Sequence, residues 1–259
     1  MYATRCRGIC SGWHCFGNDG TRADGRLSFR LDLRAMNPHV IPAADYRRER
    51  WRNGLGWTRE ISRAGGESDW AWRMSIAEVD ADAAFSRFPG VDREICLLSG
   101  NGVDLCFDDG AREGLEPPHG RHRFEGERVV RAALRDGPVQ VCNLMWRRDR
   151  VGVRVWHRPL VGSMVLFAEV GDTWLLHLLA GQALFSGGSG LTGLSGGDTA
   201  VLRSNVDERA RYALEGGGEA LVARITPAAS GARDGHVIGC ASGSVDVPPV
   251  STLGEDGLP

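Results

Sequence analysis

The stretch "DWAWRMSIAEV" at 69–79 restricts the fold more than any other part of the chain. Trp70, Trp72, Met74 and Ile76 alternate there with Ala71, Arg73, Ser75 and Ala77. Successive side chains of a strand point to opposite faces, so a period of two specifies a strand and cannot form one stripe of a helix. "REICLLSG", "VDLCF", "VQVCNLMWRR", "GVRVWHRPL", "TWLLHLLAG", "DTAVLRS" and "EALVARITP" are further β-type runs divided by Gly, Asp or Pro. Many short strands with glycine-rich turns predict an all-β sandwich or barrel. Only "ADAAFSRF" and "NVDERARYAL" offer short helical turns.

The pattern does not run end to end. Residues 1–35 hold three cysteines and little periodic apolar sequence, and read as a disordered leader or an extension upstream of a natural start at Met36. Residues 227–259, rich in Gly, Ser and Pro, read as a tail, which leaves 36–226 as the folded unit. Within that unit "LLSGNG" (97–102) echoes "LLAGQA" (178–183), and "FEGE" (124–127) echoes "SGGD" (195–198), as two copies of one β-unit would.

Charge and cysteine usage exclude several function classes. A formal net charge of -2 gives no field to attract nucleic acid or an anionic membrane, so neither partner is expected. All 31 basic residues are arginine, the bias of a GC-rich genome and also a supply of two-donor forks for carboxylates. No run approaches the ~18–20 apolar residues that cross a bilayer, and the N-terminus has no secretory apolar region. Seven cysteines without framework spacing predict a reducing, cytoplasmic setting, with Cys96, Cys106 and Cys142 as buried thiols.

Five ordered motifs, "WRNGLGWTREI", "DWAWRMSIAEV", "FSRFPGVDREICLLSGNGVDL", "FEGE" and "GPVQVCNLMWRR", make residues 38–226 resemble the HutD/Ves family of small bacterial proteins. The resemblance implies a two-cupin (bicupin) β-barrel fold. It also implies a regulatory protein that binds a small molecule of histidine utilisation, or a role in stress response, without an established catalytic activity. Two departures stand out. The family's Pro-Trp-Lys-Asn-Gly-Gly-Gly has Arg50, Arg52 and Leu55 in place of its proline, lysine and central glycine, and its Asp-Phe-Asn is Val141-Cys142-Asn143 here.

The residues themselves show little catalytic chemistry. The H-x-H pair of a metal-binding cupin is missing; His119 and His122 read as a surface loop, and His157 and His177 lie in separate strands, so no metal or other cofactor is expected. Cys6, Cys10, Cys15 and His14 lack the spacing of a zinc knuckle. No nucleophile elbow, P-loop or Rossmann glycine pattern occurs.

Alternation nevertheless gathers polar groups on strand faces. Arg73 and Ser75 share one face, Asn143, Met145 and Arg147 another, and Thr58 and Glu60 a third. With Trp51 and Asn53 nearby, these predict a ligand-binding set of Trp51, Asn53, Thr58, Glu60, Arg73, Ser75, Asn143 and Met145. It would suit a small polar carboxylate, formylglutamate or urocanate among the candidates. Two structural readings compete: Arg73 bridging Glu60, and Phe85 and Phe88 as core plugs with Asp92 and Arg93 clamping their loop. The functional alternatives are a metal-dependent cupin enzyme and a protein–protein module; a homodimer is compatible with each.

Overall fold

The computed structural model describes residues 37–51, 53–204 and 208–228; the expected leader, the zinc-knuckle residues and nearly all of the expected tail lie outside them. Among the described residues, sixteen strands form three antiparallel sheets. The first sheet has the order β2 (Arg47–Arg50), β3 (Gly56–Gly65), β4 (Trp70–Val79), β11 (Val139–Arg147), β6 (Val91–Ser99), β9 (Arg121–Glu125). The second runs β5 (Ala83–Ala84), β10 (Val130–Leu134), β7 (Val103–Phe107), β8 (Arg112–Leu115). The third runs β1 (His39–Ile41), β15 (Thr199–Arg203), β13 (Thr173–Phe185), β16 (Ala210–Pro227), β12 (Val151–Ala168), with β14 (Leu194–Ser195) paired to β13.

The all-β, two-cupin expectation holds. Between the first and second sheets lies one core, with Ala77, Val79, Ile95, Leu97, Leu105 and Val141 among its members. The third sheet encloses another, built on Leu160, Leu176, Leu178, Leu202, Leu214 and Val222. A third core joins the halves. Trp72, Met74, Ile76, Leu144 and Trp146 of the first sheet pack there with Leu175, Val201, Leu221 and Ile225 of the third. Trp72 and Trp146 pair across strands and are 0% and 1% exposed. Burying each is worth roughly 4–6 kcal/mol of apolar transfer before the entropy of ordering.

The alternation in β4 is therefore a division of labour. Trp72, Met74 and Ile76 face the joint between the halves, while Arg73, Ser75 and Ala77 face the interior of the first half. Trp70 departs from the pattern: the register of β3 against β4 slips between Ala64 and Gly65, and Trp70 clusters with Val91, Met145 and Phe88 instead.

The expected helical turns are absent among the described residues; positions 205–207 of "NVDERARYAL" lie outside them. Among the described residues there is no α-helix, only a 3-10 turn at Ala43–Asp45. In "ADAAFSRF", Ala83 and Ala84 pair with Ala132 and Arg131, and Phe85 donates its N–H to Val130 O, so a sheet edge captures backbone that a helix would have used. Ala210–Leu214 of "NVDERARYAL" belongs to β16 and pairs with Met164–Ala168. No helix among the described residues is long and apolar enough to cross a membrane.

The sequence echo falls at related places. Leu97 and Leu98 sit near the end of β6, which pairs β11; Leu178 and Leu179 sit within β13, which pairs β16. In the second half "EGGGE" has a clear purpose. A Cβ on Gly181 would lie 1.9 Å from Gly217 O, and one on Gly218 would lie 1.9 Å from Ala180 O. Only glycine lets β13 and β16 approach so closely beside the bulge at Leu178–Ala180.

Candidate ligand-binding site

Register builds the site in two rows across the first sheet. One row is Glu60, Ser75, Asn143 and Ile95; the next is Arg63, Arg73, Met145 and Arg93. The second row places Arg73 and Arg93 on either side of Met145. These rows form one wall of a cavity of about 440 Å³ at the mouth of the first half, within the size range of metabolite pockets. Trp51 and Thr58 form another wall, Phe85, Ser86 and Phe88 cover it, and Ala77, Ile95 and Val141 contribute apolar lining.

Seven of the eight expected residues line this cavity: Trp51, Asn53, Thr58, Arg73, Ser75, Asn143 and Met145. Glu60 does not. It sits behind Arg73, with Oε2 2.6 Å from Arg73 Nε, off the line of that N–H and so an ion pair rather than a straight hydrogen bond. Glu60 also pairs with Arg63 at 3.2 Å. The bridge and the cavity thus coexist, with Glu60 holding the arginine that the cavity exposes. Asn53 accepts a hydrogen bond from Leu55 N at 3.0 Å, so its carbonyl is committed to the turn. Trp51 Nε1 donates to Thr58 Oγ1 at 2.8 Å, and its ring meets Phe85 edge-on. Trp57 lies elsewhere, stacked under the guanidinium groups of Arg48 and Arg50.

Arg93 reaches its loop through Ser86 O, as a clamp would, but does so without Asp92. Adjacent positions of β6 face opposite ways, which separates the two: the acid pairs with Arg123 and Arg148, while Arg93 points into the cavity and is 5% exposed. Among the described residues no carboxylate lies within ion-pair distance of it. Its contacts are long and reach neutral oxygens: Nε and Nη2 at 3.4 and 3.3 Å from Asn143 Oδ1, and Nη1 3.3 Å from Ser86 O. Three aromatic rings, Phe85, Phe88 and Phe124, lie 5.1–5.7 Å from its guanidinium carbon. Burial lowers its pKa to about 10, which leaves it charged at neutral pH. Phe85 and Phe88 are therefore more than core plugs; they wall a cation. The signal available in sequence was parity, since Arg93 and Ile95 share a face as Arg73 and Ser75 do.

The charge balance favours an anion. Arg73 is matched by Glu60, and at the rim Glu49 pairs with Arg47. Arg93 has no such match. Asn143 turns Oδ1 toward Arg93, leaving its amide hydrogens for an acceptor, and Ser75 adds a hydroxyl. Val141 lines the same cavity as an apolar group. Cys142 faces the other way, into the joint between the halves, beside its cross-strand neighbour Cys96. Burial raises the Cys96 pKa to about 11 and that of Cys142 well above the usual thiol value, so both are inert thiols. Cys106 is only half-buried, a small correction to its expected place.

The histidines also require correction. His119 and His122 do not act as a pair on one loop: His119 approaches His157 and Glu219, whereas His122 stacks near Phe124. His177 is buried, 2.9 Å from Thr199 Oγ1, and Thr199 also meets the Tyr46 hydroxyl at 2.7 Å.

Comparison with known proteins bears on the family and the fold. The HutD family model matches residues 43–222. An uncharacterized 21.2 kDa protein encoded in the hutC 3' region of Pseudomonas putida is 36% identical over 118 residues, 45% of this chain and 62% of that protein. Protein Ves of Cronobacter sakazakii is 42% identical over 106 residues, 40% of this chain and 58% of that protein. The chain thus spans about six-tenths of the length of these two relatives. The structure of HutD from Pseudomonas fluorescens SBW25, determined in a formate condition, superposes with a TM-score of 0.65 at 27% identity, covering 74% of this chain and all of that one.

Proposed function

The chain belongs to the HutD family, and from that premise we propose that its first half binds a small carboxylate metabolite of the histidine-utilisation type and acts as a regulator rather than a catalyst. The observation that carries this reading is Arg93, a buried guanidinium in a cavity of metabolite size with no carboxylate of its own. A buried charge is costly unless paired, and an entering carboxylate would supply the missing pair. Arg73 across Met145 gives a second fork, Asn143 and Ser75 orient the anion, and Trp51 and Phe85 offer flat apolar walls.

Thermal-shift and calorimetric titration with formate, formylglutamate, formiminoglutamate, urocanate and histidine tests it. At least one carboxylate should raise the melting temperature and bind stoichiometrically. Arg93→Lys keeps the charge but loses the planar fork, and should weaken that ligand about ten- to hundredfold. Arg73→Lys should weaken it by less, since Glu60 already draws on that guanidinium. Unchanged affinity in Arg93→Lys, or no response to any carboxylate, would refute the assignment.

A further inference from the structure

Away from the cavity, at the seam between the halves, three side chains form a second arrangement that the carboxylate reading leaves unused. His157 pairs with Leu221 and Pro159 with Glu219 across β12 and β16, so period-two geometry puts His157 and Glu219 on one face as diagonal neighbours. His119 reaches them from the first half, on the turn before β9. That turn is fixed by Gly120 N donating to Glu116 O at 2.7 Å and Leu97 N donating to Gly120 O at 2.8 Å. We propose that His119, His157 and Glu219 form a site for a divalent transition-metal ion, Zn2+ being the natural test ion.

Distances support this first. Glu219 Oε2 lies 3.0 Å from His157 Nε2 and 3.3 Å from His119 Nε2, and the candidate ligand atoms of all three residues fall within 4.8 Å of one another. Ligands held at about 2.0–2.1 Å around a tetrahedral zinc are themselves separated by about 3.3 Å. Small side-chain rotations therefore suffice to close the set. Two imidazoles and one carboxylate suit zinc, cobalt or nickel and suit magnesium or calcium poorly.

Ring orientation is the second support. His119 Nδ1 lies 3.2 Å from Leu97 O, an acceptor only, and this anchor aims Nε2 at the Glu219 carboxylate. Backbone anchoring of the remote ring nitrogen is how metal-bound histidines are held in orientation. Nor is the carboxylate spent elsewhere: in a chain with 31 arginines, the ion pairs of Glu219 among the described residues are with these two histidines. The ligands come from both halves, so a bound ion would tie the β8–β9 turn to the β12–β16 ribbon, leaving one coordination position for water.

The test uses untagged, full-length protein stripped with chelator and titrated with Zn2+ by calorimetry, with Co2+ absorption as a second readout. The site predicts one equivalent that His157→Ala, His119→Ala and Glu219→Gln each weaken at least tenfold, and a melting temperature that rises with Zn2+ in the parent but not in those variants. The Co2+ spectrum should lack thiolate bands. Because Cys6, Cys10 and Cys15 lie in the same chain, their triple replacement by serine should leave this equivalent intact. Mg2+ should not compete, and Arg93→Met should not change it. Binding weaker than about 100 µM, or an equivalent lost with the three cysteines and indifferent to His157→Ala, would overturn the proposal. If an alanine variant is unstable, His157→Gln reads out the same ligand loss from a strand position that is solvent-exposed.

Discussion

The two halves are built alike and filled differently. In the second, Leu176, Leu178 and Leu202 are 0% exposed and close the interior with apolar side chains. In the first, the space near the mouth holds two arginines, an asparagine and a serine around a cavity. A sheet interior can be spent on packing or on recognition. Here one chain does each once, and the solid half gives the hollow one a rigid back through the Trp72 and Trp146 layer.

The sharpest way to break that comparison is to hollow the solid half. Leu178→Ala should cost about 2–5 kcal/mol in a denaturant titration, by lost transfer energy and residual cavity, while the folded fraction keeps its carboxylate affinity. Ser75→Ala in the first half should cost far less stability and act on affinity instead. Equal losses from both would mean that the first half is packed as tightly as the second.

Acid tests the second half more gently. Burial lowers the His177 pKa from 6.5 to about 4, assisted by Arg59 and opposed by Asp198. The folded form holds it neutral, whereas the unfolded chain takes up its proton near pH 6.5. This contribution is therefore complete above pH 6.5 and is lost as the pH falls toward 4. It amounts to about 3 kcal/mol over that interval. His177→Gln should unfold with a correspondingly shallower dependence between pH 6.5 and 4, measured by denaturant midpoints at each pH. An identical slope would place the proton elsewhere.

The smallest expected effect has the most informative sign. Arg93→Met removes a buried charge that has no carboxylate partner, so the ligand-free protein should gain about 1–2 kcal/mol while carboxylate binding collapses. Loss of stability instead would show that the three surrounding rings and Asn143 fully support the guanidinium.

Much of this is legible in the residues, for a definite reason. Strand parity is a local property, so Arg73 and Ser75 against Trp72 and Met74, or Asn143 against Cys142, can be assigned to faces without knowing the partner strands. What parity cannot supply is which faces meet. Adjacency groups Arg93 with Asp92, although adjacent strand residues diverge. His119 and His157 are 38 positions apart and meet only because the β8–β9 turn lies over the β12–β16 ribbon. "ADAAFSRF" misleads for the same reason: its alanines favour a helix locally, and a sheet edge formed by Val130–Leu134 takes them as a strand.

The short β1 strand has a consequence for the birth of the protein. His39, Val40 and Ile41 pair with Val201, Ala200 and Thr199, and Tyr46 hydrogen-bonds to Gly197 O, 151 positions away. At a synthesis rate of about 5–20 residues per second, the partners of these early residues leave the ribosome on the order of ten seconds later. The first of the described strands is thus among the last to dock, and a nascent chain halted before residue 199 lacks the segment that captures it. Completion of the third sheet is in this way a report that translation has passed β16, with an early strand serving as the clasp.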